Sequence, residues 1–169
     1  MTTGSRDRDT AGRPRNARPR DGLGRPLRRG ASGEPVTPDD LRLAPADAVL
    51  TAQRLIDAGR PFHAHEVLEA TWKSAPAAER EVWRGLAQMA VGLTHALRGN
   101  SRGAVTLLRR GAAAVGSYPG HGGQPGELPA NLDLAAARAG ALLLADRIAS
   151  GGLTALADGD VRLRLTAAR

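Results

Sequence analysis

The chain has 169 residues, of which 41% are hydrophobic, and a formal net charge of +7. This length is sufficient for one domain with a hydrophobic core. The sequence contains no cysteine, which excludes disulfides, thiolate metal ligands and a cysteine nucleophile. It also contains no run of about 18 apolar residues and no apolar signal-peptide core, so we expect a cytoplasmic protein with no membrane span.

The N-terminal part differs from the rest in composition. Residues 1–36 contain very few apolar side chains, and the first 30 residues hold nine Arg and three Asp. Low hydrophobicity combined with high net charge predicts a disordered tail over residues 1–36, followed by a helical domain over residues 37–169. Such a tail could make weak, non-specific contacts with nucleic-acid phosphates, but it has no aromatic side chains on which bases could stack.

The first helix is predicted just after this tail. Residues 37–40 (TPDD) carry the signals that begin a helix: an N-cap residue, a proline and two acids in the first turn. Pro45 should interrupt that helix, leaving a short turn over Asp39–Leu43 and a main helix over Ala46–Ala58. The residues of the main helix predicted to face inward are Leu50, Leu55 and Ile56.

The second helix is predicted over Pro61–Lys73. Spacings of three and four residues define one stripe on it, made of Phe62, His65, Leu68, Glu69 and Trp72. Because a histidine and a carboxylate on a core-facing stripe need partners, this stripe is the most informative feature of the sequence. His63 lies about 200° from His65 around the helix axis and is predicted to face solvent.

A long third helix is predicted over Ala77–Leu97. Its apolar face consists of Trp83, Leu86, Ala90, Leu93 and Leu97. Gln88 and His95, seven residues apart, form a polar ladder beside that face. Residues 99–101 (GNS) should end this helix and cap a fourth helix over Arg102–Val115.

The last predicted helix follows a glycine-rich loop at residues 117–129. It covers Leu132–Ser150, is rich in Ala and Leu, and ends at Gly151 and Gly152. Beyond it, Val161, Leu163 and Leu165 alternate with polar residues, which indicates a short extended segment lying on the bundle. We therefore predict an all-α bundle of about five helices, and an exposed apolar face on the fifth helix would favour a homodimer.

Two segments of the chain resemble a known family. FHAHEVLEATW (residues 62–72) and GLAQMAVGLTHALRGNSRGAVTLLRRG (residues 85–111) are similar to the domain of unknown function 309 family, DUF309, of small helical bacterial and archaeal proteins. The family's HxxxExxW motif corresponds to His65, Glu69 and Trp72, and its downstream Gln and His to Gln88 and His95. The resemblance covers about Ala46 to Ser150 and implies a helical fold and a candidate site without implying a reaction.

Three hypotheses account for this motif. His65, Glu69 and His95 could bind a divalent metal, with Trp72 and Gln88 in support, or His65 and Glu69 could act as a catalytic acid–base pair without a metal. The hypothesis that the sequence favours is a structural polar network or an interaction scaffold. We predict that His65, Glu69, Gln88 and His95 meet between the second and third helices, with Trp72 packed against them.

Overall fold

The computed structural model of the chain describes residues 18–35, 41–118, 128–157 and 159–166. Within these ranges the regular elements are helices alone. They are α1 (Pro45–Asp57), α2 (Pro61–Ser74), α3 (Arg80–Leu97), α4 (Ser101–Gly116), α5 (Leu134–Gly151) and a short 3₁₀ helix (Leu153–Ala155). Each α-helix packs against the next in the chain, which confirms the predicted all-α bundle. None of the described helices combines the length and apolar character needed to cross a bilayer.

The predicted main helix, Ala46–Ala58, agrees with α1 to within one residue at each end, whereas its predicted inward face is corrected by the structure. Pro45 is the first residue of α1, where a proline lacks only an N–H that would have no helical partner. Residues 36–40 lie outside the described part of the chain. The buried line of α1 is Ala48, Val49, Ala52 and Ile56. Leu50 is 44% exposed, since the helix packs through the small side chains of this line.

The predicted ends of the later helices agree with the structure to within three residues. The third helix begins at Arg80, because Pro76 to Glu79 form a separate turn closed by the Glu79 N–H and the Pro76 carbonyl at 3.0 Å. Asn100 caps α4 as predicted, its side chain accepting from the Gly103 N–H at 2.9 Å. Leu97, predicted to face inward, is 37% exposed at the end of α3.

The C-terminal segment lies extended on the bundle as its alternating pattern predicts. Leu163 and Leu165 are buried, while the arginines between and beside them are exposed. The side-chain amide of Gln53 takes the place of a partner strand: its oxygen accepts from the Leu165 N–H at 2.6 Å and its nitrogen donates to the Leu163 carbonyl at 3.1 Å. The Leu165 carbonyl accepts from the N–H of Asp133, the N-cap of α5, at 2.8 Å. The segment thereby connects α1 to the start of α5.

Helices α3 and α4 approach each other most closely where both have glycine. A Cβ atom at Gly111 would lie 2.5 Å from the Gly85 carbonyl oxygen and 2.7 Å from Met89 Cγ. Real Cβ atoms are not found at such short distances from other atoms. The backbones of α3 and α4 can therefore approach this closely only because residue 111 is glycine. This crossing brings the N-terminal half of α3 against the C-terminal half of α4.

We predict that Gly111→Ala destabilises the protein by about 1–3 kcal/mol, because the added methyl group pushes against the backbone of α3. Gly140→Ala is the matched control, since its Cβ would lie 3.3 Å from the movable end of Leu163 and alanine favours a helix. Urea unfolding of both variants measures the difference. Equal stability of the two variants would contradict the close crossing.

Candidate functional site

The motif residues of α2 lie at the edge of the core. The side of α2 that faces the bundle carries Ala64, Leu68 and Thr71, all of them buried. The side chains of His65 and Glu69 are 24% and 31% exposed, and Trp72 packs against the core while remaining partly buried. The stripe predicted to face the core is therefore rotated toward the surface.

His65 and Glu69 are paired within α2. The Nε2 atom of His65 lies 3.4 Å from Glu69 Oε2, and Glu69 Oε1 lies 3.0 Å from Lys73 Nζ, so three residues at successive helical turns form one ladder. Burial lowers the pKa of His65 below its ordinary value of 6.5, an effect that the Glu69 and Glu66 carboxylates partly oppose. At neutral pH this imidazole is therefore uncharged, with a carboxylate beside it.

His95 has its own partner at the turn between α3 and α4. Its Nδ1 atom lies 2.7 Å from the side-chain nitrogen of Asn100, whose oxygen caps α4. Because the amide nitrogen donates, Nδ1 is the acceptor and the ring proton is on Nε2. Among the described residues no hydrogen bond or ion pair joins His95 to His65 or Glu69. The structure thus assigns His95 a place in the helix cap.

The three candidate metal ligands, His65, Glu69 and His95, are not grouped in one cluster in the described part of the chain. Within the described ranges, no group of three or more His, Asp or Glu side chains is placed so that it could hold a metal ion. His65 and Glu69 supply two adjacent groups, and the third ligand that the sequence suggested, His95, is held by Asn100. Gln88 is half-buried on α3, and its Oε1 atom has no hydrogen-bond partner among the described residues.

The prediction that His63 faces solvent is wrong. His63 is only 3% exposed, because residues 18–35 lie over this part of α2. Burial lowers the pKa of His63 below 6.5, with a contribution from the Arg60 guanidinium, while the Glu66 and Glu34 carboxylates oppose the shift. Its ring also stands edge-on to Phe62, with the ring centroids 5.5 Å apart.

Residues 18–35, which we call the arm, contact the bundle although they were predicted to belong to a disordered tail. The Phe62 ring lies directly under Gly24, with the guanidinium carbons of Arg20 and Arg98 at 5.2 and 5.9 Å from its centroid. The Arg98 side chain donates to the Leu23 carbonyl. These contacts are cation–π and polar, which is how a segment with few apolar side chains can dock. Residues 1–17 and 36 of the predicted tail lie outside the described part of the chain.

The sequence did not lead us to predict two further contacts, one made by the arm and one at the start of α3. Arg60 of the turn before α2 pairs with Glu34 of the arm at 2.7 Å, a contact between positions that no local pattern connects. On α3, the Trp83 indole donates to the buried Glu79 carboxylate at 3.1 Å. The spacing of four residues between Glu79 and Trp83 could have identified this second contact.

We predict that the free energy of unfolding decreases as the pH falls below about 6.5, because His63 and His65 have lower pKa values folded than unfolded. The unfolded chain then binds protons that the folded chain does not, so the stabilisation is complete above 6.5 and is lost on acidification. Urea unfolding between pH 7.5 and 5.5 measures it, a range in which ordinary carboxyl groups remain ionised. The variant His63→Gln/His65→Gln should show a flatter profile. Wild-type stability that does not change over this range would contradict the prediction.

Comparison with known protein families gives a match over part of the chain. Residues 49–107 match DUF309, a domain of unknown function. This range runs from α1 into α4 and contains the whole of the His65–Glu69–Trp72 motif, whereas the arm and α5 lie outside it. Neither the search of curated proteins nor that of solved structures gives a match. The sequence resemblance and the family match agree, and residues 49–107 are a region that matches the DUF309 family model.

Proposed function

We propose that this protein is a non-enzymatic helical scaffold for protein–protein interaction. The observation that carries the proposal is the position of the motif: His65 lies beside Glu69 and Glu69 pairs with Lys73, all within α2 at the surface edge of the bundle. A catalytic or metal site would require side chains from several elements to converge on one pocket. Here the third candidate, His95, is bonded to Asn100 at the end of α3.

Exposure of the ladder limits its contribution to stability. Partly exposed ion pairs contribute about 0–1 kcal/mol, because water already solvates both charges and screens their attraction. His65, Glu69 and Lys73 therefore add little to the folding energy of the domain. A contact surface on α2 is a better account of these polar side chains than a structural network in the core.

Two cavities beside the C-terminal segment are lined by described residues outside the motif. Two cavities of about 330 and 370 Å³ border the C-terminal segment, the first near Leu97 and Leu156 and the second near Gln53 and Leu163. The first has mainly apolar side chains around it, including Ile56 and Val161. His65, Glu69 and Trp72 do not line either cavity, so neither cavity gives the motif a substrate pocket.

The partner that we propose for this scaffold is a second copy of the chain. Ala135, Ala139 and Leu143 follow one another at four-residue spacing on α5 and are all exposed, and Leu143 is 64% exposed. Since α5 is the outermost α-helix in the packing order, this apolar row has no neighbouring α-helix on its outer side within the described residues. Two such rows from two chains would bury one another across a two-fold axis.

We predict that Leu143→Glu abolishes self-association, because it places a charge in place of the largest apolar side chain of the proposed contact. Sedimentation equilibrium should give a dimer for the wild-type chain and a monomer for this variant. Leu50→Glu is the matched control: Leu50 is exposed on α1, 44% of its surface being accessible, and the variant should remain a dimer. A monomeric wild-type chain, or loss of the dimer in both variants, would contradict dimerisation through α5.

A second prediction separates the surface ladder from a structural network. Glu69→Ala and Glu69→Gln should each lower the free energy of unfolding by less than about 1 kcal/mol, because the pair is partly solvated. In an NMR titration Glu69→Gln should lower the pKa of His65 and Lys73→Met should raise it, since these two charges act on His65 with opposite signs. A loss of several kcal/mol in Glu69→Ala that Glu69→Gln does not show would instead support the structural network.

A further inference from the structure

The arm displays a concentration of positive charge on one surface of the bundle. Its described residues include five arginines and two carboxylates, Asp21 and Glu34. Two arginines of the bundle lie beside the arm: Arg60 pairs with Glu34, and Arg98 donates to the Leu23 carbonyl. Residues 1–17, which precede the arm in the sequence, contain four further arginines and two aspartates.

Both carboxylates of the arm are engaged in the arm's own structure. Asp21 Oδ1 accepts from the N–H groups of Leu23 and Arg25 at 3.0 and 2.7 Å, which closes the turn that rests on Phe62. Glu34 pairs with Arg60 at 2.7 Å. The exposed guanidinium groups of Arg18 and Arg28 have no carboxylate partner among the described residues. The charge that remains available at the surface is therefore positive.

The arm is held in a defined shape. The Leu27 N–H donates to the Pro19 carbonyl and the Glu34 N–H to the Arg20 carbonyl, each at 2.8 Å, so the segment folds back on itself twice. Arginines on such a framework keep a fixed spacing, and less conformational entropy is lost when they bind a ligand. Arginine forms two parallel hydrogen bonds with phosphate, which makes a phosphate chain the matching chemistry.

We propose that the arm is a binding surface for the phosphate backbone of double-stranded nucleic acid, independent of the contact through α5. Base stacking has no platform here, because Gly24 and two arginines cover the Phe62 ring. A lipid bilayer is a poorer partner, since the apolar side chains of the arm that could enter it are few and Leu23 and Leu27 are half-buried. The contacts are thus to phosphates, without sequence readout.

Fluorescence anisotropy of a labelled, mixed-sequence DNA duplex with the full chain tests this proposal. Arg18→Ser/Arg28→Ser should weaken binding about tenfold and reduce the slope of log K against log salt by about 2, because each lost phosphate contact contributes about 0.9. Neither side chain makes a described contact that holds the arm, so the fold should persist, and thermal unfolding checks this. The matched control, Arg110→Ser/Arg138→Ser, removes the same charge from exposed positions on α4 and α5.

The control should bind the duplex as the wild-type chain does. Equal weakening in both double variants would overturn the proposal, because total charge and not the arm would then determine binding. No salt-dependent binding of the duplex by the wild-type chain would also overturn it. Binding of the chain to vesicles that contain phosphatidylglycerol, without binding to the duplex, would overturn the proposal as well.

Discussion

The aromatic ring of Phe62 is the contact on which the arrangement of the arm depends. It is the single phenylalanine of the chain, and it meets Gly24 on the arm, Arg98 at the end of α3 and His63 on its own helix. The close approach requires glycine, because Gly24 has a φ of +74° and any Cβ there would overlap the ring. A chain segment with few apolar groups is thereby attached through one aromatic face and the arginines around it. The burial and lowered pKa of His63 follow from the same attachment.

The sequence predicted the number and order of the helices because their ends carry local signals. Asn100 caps α4 with its own side chain, and Gly152 has the positive φ that ends α5. The rotation of α2 was harder to predict. Its buried line runs through Ala64 and Thr71, and small side chains of this kind carry little hydrophobic signal although they allow two helices to approach closely. The larger side chain of Trp72 made the neighbouring line look like the inner one.

In the candidate site, too, the sequence predicted contacts within one helix better than contacts between distant parts of the chain. The His65–Glu69 pair follows from a four-residue spacing on one helix, and the structure contains it. The role of His95 was harder to predict, because its partner could be a residue across the bundle or one nearby in the chain. In the structure its partner is Asn100, five positions away. The contact between Arg60 and Glu34 joins the domain to a segment whose composition indicates disorder. Periodicity contains no information about such a contact.

The two proposed binding surfaces lie outside the region that matches the family. The DUF309 region at residues 49–107 contains most of α1, the whole of α2 and α3 and the start of α4, while the proposed surfaces, the arm and the outer row of α5, lie on either side of it in the sequence. The matched helical core thus carries elements that lie outside the matched region. In this account the central domain provides the support, and function depends on the added elements that the core holds in place.

The most direct test of this account is amide hydrogen exchange in the arm, measured in the full chain and in an isolated peptide of residues 18–35. The N–H groups of Leu27 and Glu34 are hydrogen-bonded to carbonyls within the arm, and we expect these bonds to persist only while the arm is folded on Phe62. The account predicts slowed exchange at both amides in the full chain, exchange near the unprotected rate in the peptide, and loss of the protection in Phe62→Ala. Exchange at the unprotected rate in the full chain would show that the arm is not attached to the domain.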